Sequence, residues 1–157
     1  KNLEEYIEKS KDILNKFGNK VKLPIDLAYV SEGRKEIEVD NLPVDQALMD
    51  IGCNTIAKYK KIIKDAKTIF FNGPAGVFEK AETEIGTRAI LTVISESSAF
   101  SVVGGGDSIA AVNKYNLTND ISYISTGGGA LVRFLSGEEL PVIKALKKSA
   151  KKFSCDR

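Results

Sequence analysis

The 157 residues carry 23 Lys+Arg against 21 Asp+Glu, a formal charge of +2, so no field of either sign favours nucleic acid or an anionic membrane as partner. With 43% hydrophobic and 28% charged residues, the chain has the composition of an ordinary folded domain, and its length suits a single domain with its own core. No histidine is present and the two cysteines, Cys53 and Cys155, lack CxxC spacing, which excludes a histidine triad, a histidine general base and a structural zinc site.

Unpaired thiols fit a reducing compartment. No apolar run reaches the roughly 18 residues of a membrane span, and the amphipathic, acid-containing start does not read as a signal peptide, so a soluble, cytoplasmic protein is expected. Because the chain opens at Lys1 directly in a helical pattern, it is expected to be a piece of something longer.

Over residues 2–17, Leu3, Tyr6, Ile7, Leu14 and Phe17 share one helical face, and Gly18 stops the pattern. The apolar run 25–30 after Pro24 predicts a buried strand, and 37–39 a second, more exposed one. Leu42-Pro43-Val44-Asp45 turns the chain, and 53–66 reads as a helix with Ile56, Tyr59, Ile62 and Ile63 inward. Three units then share one grammar, a short apolar strand ending in glycines and followed by a helix. Strand 68–71 leads through NGPAGVFE to a helix near 83–97. Strand 100–103 leads through GGGDS to a helix reaching Tyr115, and strand 121–124 leads through STGGGA to a helix near 130–135. A last helix, 141–152, carries Val142, Ile143 and Leu146, with Phe153 after it. This alternation predicts an α/β fold, a three-layer Rossmann-like domain with a mainly parallel sheet and helices on both faces.

Ligands of open parallel sheets lie beyond the carboxyl ends of the strands, where eight of the 13 glycines fall. A helix N-terminus there offers unpaired N–H groups and partial positive charge to an anion, and glycine lets a phosphate approach the backbone. A single such cluster would more often serve only the turn, but two triple-glycine runs favour function. Asp107, after Gly104-Gly105-Gly106, reads either as an N-cap, a job Ser108 could share, or as a Mg²⁺ ligand. In NGPAGVFE, Asn72 could touch phosphate, Val77 could pack on a base and Glu79 could accept from ribose hydroxyls; alternatively the segment is a turn with Glu79 in a first helical turn. Neither GxxxxGK[ST] nor GxGxxG is completed, which argues against a P-loop and against a dinucleotide-binding oxidoreductase.

Taken together and in order, KLPID, MDIGCNTI, NGPAGVFE, VVGGGDSIAAV and ISTGGGALVRFLSGEELPVIKAL, from about Lys22 to about Leu146, resemble the carboxyl-terminal nucleotide-binding domain of phosphoglycerate kinases. The resemblance implies a glycolytic and gluconeogenic transferase that moves a phosphoryl group reversibly between 1,3-bisphosphoglycerate and Mg-ADP, giving 3-phosphoglycerate and ATP. It implies that Gly105, Gly106, Asp107 and Ser108 cradle the nucleotide phosphates, with Asp107 on magnesium, and that Glu79 holds the ribose. By the same resemblance Asn72, Gly73 and Pro74 line the phosphate path, and Leu48, Met49 and Val77 border the adenine. Gly127, Gly128 and Gly129 would present backbone donors to the phosphoryl group in transit.

Three positions depart from common family usage: Phe71 stands for Trp, Leu131 for Ser, and Leu48 for a small residue. The chain 1–157 is then expected to be a partial nucleotide domain, lacking the phosphoglycerate-binding amino-terminal domain and the lysine-bearing GGAK-type segment. It is expected to be inactive alone, within a parent that is monomeric or dimeric. The alternative is a nucleotide-binding module without catalysis.

Overall fold

The structure is a computed structural model and describes residues 4–153, so Leu3 and Cys155 lie outside the described residues. Strand-forming runs pair here in two ways. β1 (Asp26–Val30) pairs antiparallel with both β2 (Arg34–Glu38) and β3 (Leu48–Ile51), giving the order β2-β1-β3. β4 (Thr68–Asn72), β5 (Phe100–Gly104) and β6 (Tyr123–Ser125) form the expected parallel sheet, in the order β4-β5-β6. The helices are α1 (Ile7–Phe17), α2 (Cys53–Lys64), α3 (Ile85–Ser95), α4 (Gly106–Lys114), α5 (Gly129–Leu135) and α6 (Pro141–Phe153). The α/β class with a parallel Rossmann-like sheet is therefore borne out.

Several boundaries differ from expectation for local reasons. The second strand starts three residues earlier, at Arg34, because Glu32 and Gly33, at φ 53° and 101°, close a hairpin back onto β1. Val39 instead enters a short 3-10 turn. β3 was not expected, and β6 lies two residues later than the apolar run suggested, with Ile121 buried ahead of it. Ile62 is exposed, whereas Ile56 is buried and Tyr59 and Ile63 are packed against the core.

The in-register row Phe71, Val103 and Ile124 turns one face of the parallel sheet inward. There it packs with Ile90, Leu91 and Ile94 of α3, and Ala111 and Val112 of α4. Ile51 of β3 and Ile56 of α2 belong to the same cluster, so both sheets share one core. On the other face, Leu131 of α5 sits over Gly104, beside Phe70.

Two buried aspartates join the antiparallel strands to helix starts. The Asp26 carboxylate accepts from the N–H groups of Asn54 (2.9 Å) and Thr55 (2.7 Å) and from the Thr55 hydroxyl. It thus satisfies N–H groups of α2 that the helix's own N-cap, Gly52, has no side chain to reach. Burial pushes the Asp26 pKa upward, but the bonds from Thr55 and Asn54 outweigh it and hold the carboxyl below its usual range. Asp50 accepts from the N–H of Gly86 at the start of α3 (2.8 Å).

Candidate functional site

Parallel pairing fixes where the three glycine turns lie. Asn72 pairs with Gly104 and Gly104 with Ser125, so β4, β5 and β6 end level and their turns leave the same edge. Gly105 has a φ of 92°, and a Cβ there would stand 2.5 Å from Asn72 Oδ1, so only glycine fits between β5 and α4. Gly106 and Gly129, the first residues of α4 and α5, are different, because a Cβ on either would meet open space. Nothing in the packing requires bare backbone at those two positions, and bare backbone is what an approaching phosphate uses. The first bond of α4 runs from the Ile109 N–H to the Gly105 carbonyl (3.0 Å), leaving the N–H groups of Gly106, Asp107 and Ser108 without an intrahelical acceptor.

The polar side chains expected at the site divide sharply. Asp107 is exposed in the first turn of α4 and makes no hydrogen bond or ion pair; it is not the N-cap, which is Gly105. Ser108 is fully buried, and its hydroxyl accepts from the Gly73 N–H (2.7 Å), so its side chain closes the turn instead of facing the edge. Asn72 and Glu79 are exposed and their side chains bond to no other residue. Glu79 sits in the loop 73–84 rather than in a helical turn, since α3 begins only at Ile85. Gly127 donates to the Ser125 hydroxyl (3.2 Å) and its carbonyl accepts from Ala130, which shapes the turn through Gly128 into α5.

The segment expected to border a base is brought together. Val77 donates its N–H to the Met49 carbonyl (2.8 Å), and Leu48 and Val77 remain 42% and 37% exposed. Pro74 is partly buried behind Gly73. Asp107 gives the edge one carboxylate, and the described residues contain no cluster of three or more acidic or thiol side chains placed to hold a metal ion. A single free carboxylate fits a magnesium ion that arrives with its phosphates, because Mg²⁺ needs few protein ligands when phosphate oxygens and waters complete its shell.

Sequence reasoning did not find the residues that hold loop 73–84 in place. The Thr87 hydroxyl accepts from Gly76 N–H (3.1 Å), and the Thr83 hydroxyl donates to the Val77 carbonyl (2.6 Å). Beneath them Arg34 donates to Asp50 (2.8 Å), to the Glu82 carbonyl (2.9 Å) and to the Ile51 carbonyl (2.8 Å), and pairs with Glu36 (3.0 Å). Burial works against the guanidinium charge, but Asp50 and Glu36 more than restore it and raise the Arg34 pKa. The one local signal was the pair Gly76 and Gly86, where any side chain would collide with the Asp50 carboxylate.

Comparison with known proteins shows the family. The phosphoglycerate kinase family model matches residues 1–138. The chain belongs to the phosphoglycerate kinase family. It is 44% identical over 153 residues to the phosphoglycerate kinase of Methanothermus fervidus, covering 97% of this chain and 37% of that one. The crystal structure of phosphoglycerate kinase from Pyrococcus horikoshii OT3 superposes with a TM-score of 0.85 at 43% identity, over 96% of this chain and 38% of that one. The solved structure of phosphoglycerate kinase from Coxiella burnetii gives a TM-score of 0.83 at 39% identity, over 98% of this chain and 40% of that one. The chain therefore spans about two fifths of the length of these phosphoglycerate kinases. Phe71 faces the core, and Leu131 covers Gly104. Leu48 stays exposed next to Met49. No helix of the described residues is long and apolar enough to cross a membrane.

Proposed function

We propose that this chain is the nucleotide half of a cytoplasmic phosphoglycerate kinase that transfers a phosphoryl group reversibly between 1,3-bisphosphoglycerate and Mg-ADP, with a carboxyl group as the acceptor in reverse. The observation that carries the reading is the level ending of β4, β5 and β6, which sets Asn72, Gly105 to Ser108 and Gly127 to Gly129 along one edge. Phosphoryl transfer asks the protein mainly for positioning and for donors aimed at the transferred oxygens, and the N–H groups at the start of α4, ahead of its first bond from Ile109, are suited to both. Asp107 holds the magnesium carried by the nucleotide, Gly105, Gly106 and Ser108 cradle the phosphates, and Asn72, Gly73 and Pro74 line their path. Glu79 takes the ribose, and Leu48, Met49 and Val77 border the adenine. Gly127, Gly128 and Gly129 meet the phosphoryl group in transit.

The phosphoglycerate site and the lysines that offset transition-state charge belong to other parts of the protein, so the chain 1–157 is inactive alone. Assay of the pure chain with 1,3-bisphosphoglycerate and Mg-ADP tests this: no ATP is expected, and phosphoglycerate-dependent ATP formation refutes it. In the full-length enzyme, Asp107→Ala is expected to lower kcat on the order of 100-fold, the scale of losing one oriented electrostatic contact; full activity in that variant would remove Asp107 from the site.

A further inference from the structure

Lys114 is the last residue of α4, roughly 10 Å along the helix from Asp107 at about 1.5 Å per residue. A lysine at a helix end commonly projects into water, where it complements the dipole. This one turns back instead. Its Nζ donates to the Phe78 carbonyl (2.6 Å) and pairs with Glu84 Oε2 (2.6 Å), with Lys114 39% and Glu84 17% exposed at the side chain. The bond from Lys114 holds the Glu84 carboxyl below its usual range despite the opposing effect of burial. Arg88 reaches the other Glu84 oxygen only at 3.9 Å, from a largely exposed position.

We propose that Lys114 is a positioning residue that fixes the backbone immediately before Glu79 and so sets the fit of the ribose of a bound adenine nucleotide. This rests on the reading of Glu79 as the ribose contact. Phe78 is held twice, by its buried ring and by its carbonyl on Lys114, so the free carboxylate that follows leaves from a fixed point. Ser108, near the start of α4, holds Gly73 at the other end of the loop. One helix thereby holds loop 73–84 at Gly73, through Ser108, and at Phe78 and Glu84, through Lys114. A flexible loop would have to be ordered on binding, whereas this one is ordered beforehand.

The test uses the whole chain with Lys114→Met, Lys114→Arg and, as a charge control beside the same carboxylate, Arg88→Met. Hydrogen exchange in 77–84 is expected to quicken on the order of fivefold in Lys114→Met, the factor one net hydrogen bond carries, with α4 amides unchanged. Lys114→Arg restores part of the protection, and Arg88→Met leaves it intact. Titration with Mg-ADP, Mg-2′,3′-dideoxy-ADP and Mg-tripolyphosphate is expected to show Lys114→Met losing affinity for ADP alone, so that the preference over the dideoxy compound shrinks. Unchanged exchange in 77–84 overturns the tether, and equal losses for all three ligands overturn the ribose role in favour of general loosening. If the unaltered chain binds ADP and the dideoxy compound equally, the reading of Glu79 fails and the ribose role with it, while the exchange result still decides the tether.

Discussion

Asp107 and Ser108 are neighbours with opposite duties. The aspartate stands in solvent with no partner, so Asp107→Asn is expected to change stability by less than about 0.5 kcal/mol. Its effect should be on magnesium-dependent nucleotide binding, read by titration with and without the metal. Ser108→Ala leaves the Gly73 N–H without its acceptor and is expected to cost about 1–3 kcal/mol in a urea melt. The sequence placed Asp107 at a helix start, where the structure has it, but nothing local distinguishes a serine that faces outward from one that closes a loop.

Asp26 contributes to the pH response, beside Glu36 and Glu84, whose carboxyls are also held below their usual range. Because the folded-state pKa of Asp26 is depressed, its contribution to stability is fully present above the ordinary carboxylate range, about pH 4, and is lost as the pH falls through the depressed value. Asp26→Asn should therefore lower the urea midpoint at neutral pH and flatten its decline in acid; an unaltered acid slope would show that other carboxylates dominate. Arg34 and Asp50 escaped the sequence reading for a different reason, since their partnership spans 16 residues and obeys no helical or strand period.

At the scale of elements, the glycine turns separate into those the fold needs and those it does not. Gly105→Ala is expected to destabilise by about 1–3 kcal/mol, because the residue sits at positive φ against Asn72. Gly106→Ala meets open space and, being helical, should leave the urea midpoint unchanged or slightly raised while weakening phosphate binding. A matched loss of stability in both variants would contradict the distinction. The strand-turn-helix units were legible because apolar runs ending in glycine repeat three times. The antiparallel pairing was not, although 25–30 and 37–39 were read as strands. LMDI of β3 shows no alternation and becomes a strand only because β1 offers it an edge, and the hairpin that brings β2 back depended on Glu32 adopting a positive φ.

Across the whole molecule, Ile51 and Ile56 join Phe71, Leu91 and Val103 in one cluster, so the antiparallel and parallel sheets have no separate cores to unfold independently. Urea transitions followed by far-ultraviolet dichroism and by tyrosine fluorescence are expected to coincide, and two separated transitions would refute a shared core. α1 and α6 have no buried residue, and their amides should exchange well before those of α3 and α4.

The central claim is that the common edge of β4, β5 and β6 is a nucleotide phosphate site. It is tested most directly by an NMR titration of the labelled chain with ADP, with and without Mg²⁺, following Gly105, Gly106, Asp107, Glu79 and Gly128. The expected result is magnesium-dependent shifts at these residues that disappear in Asp107→Ala. A well-dispersed spectrum that stays silent, or that shifts elsewhere, would contradict the site.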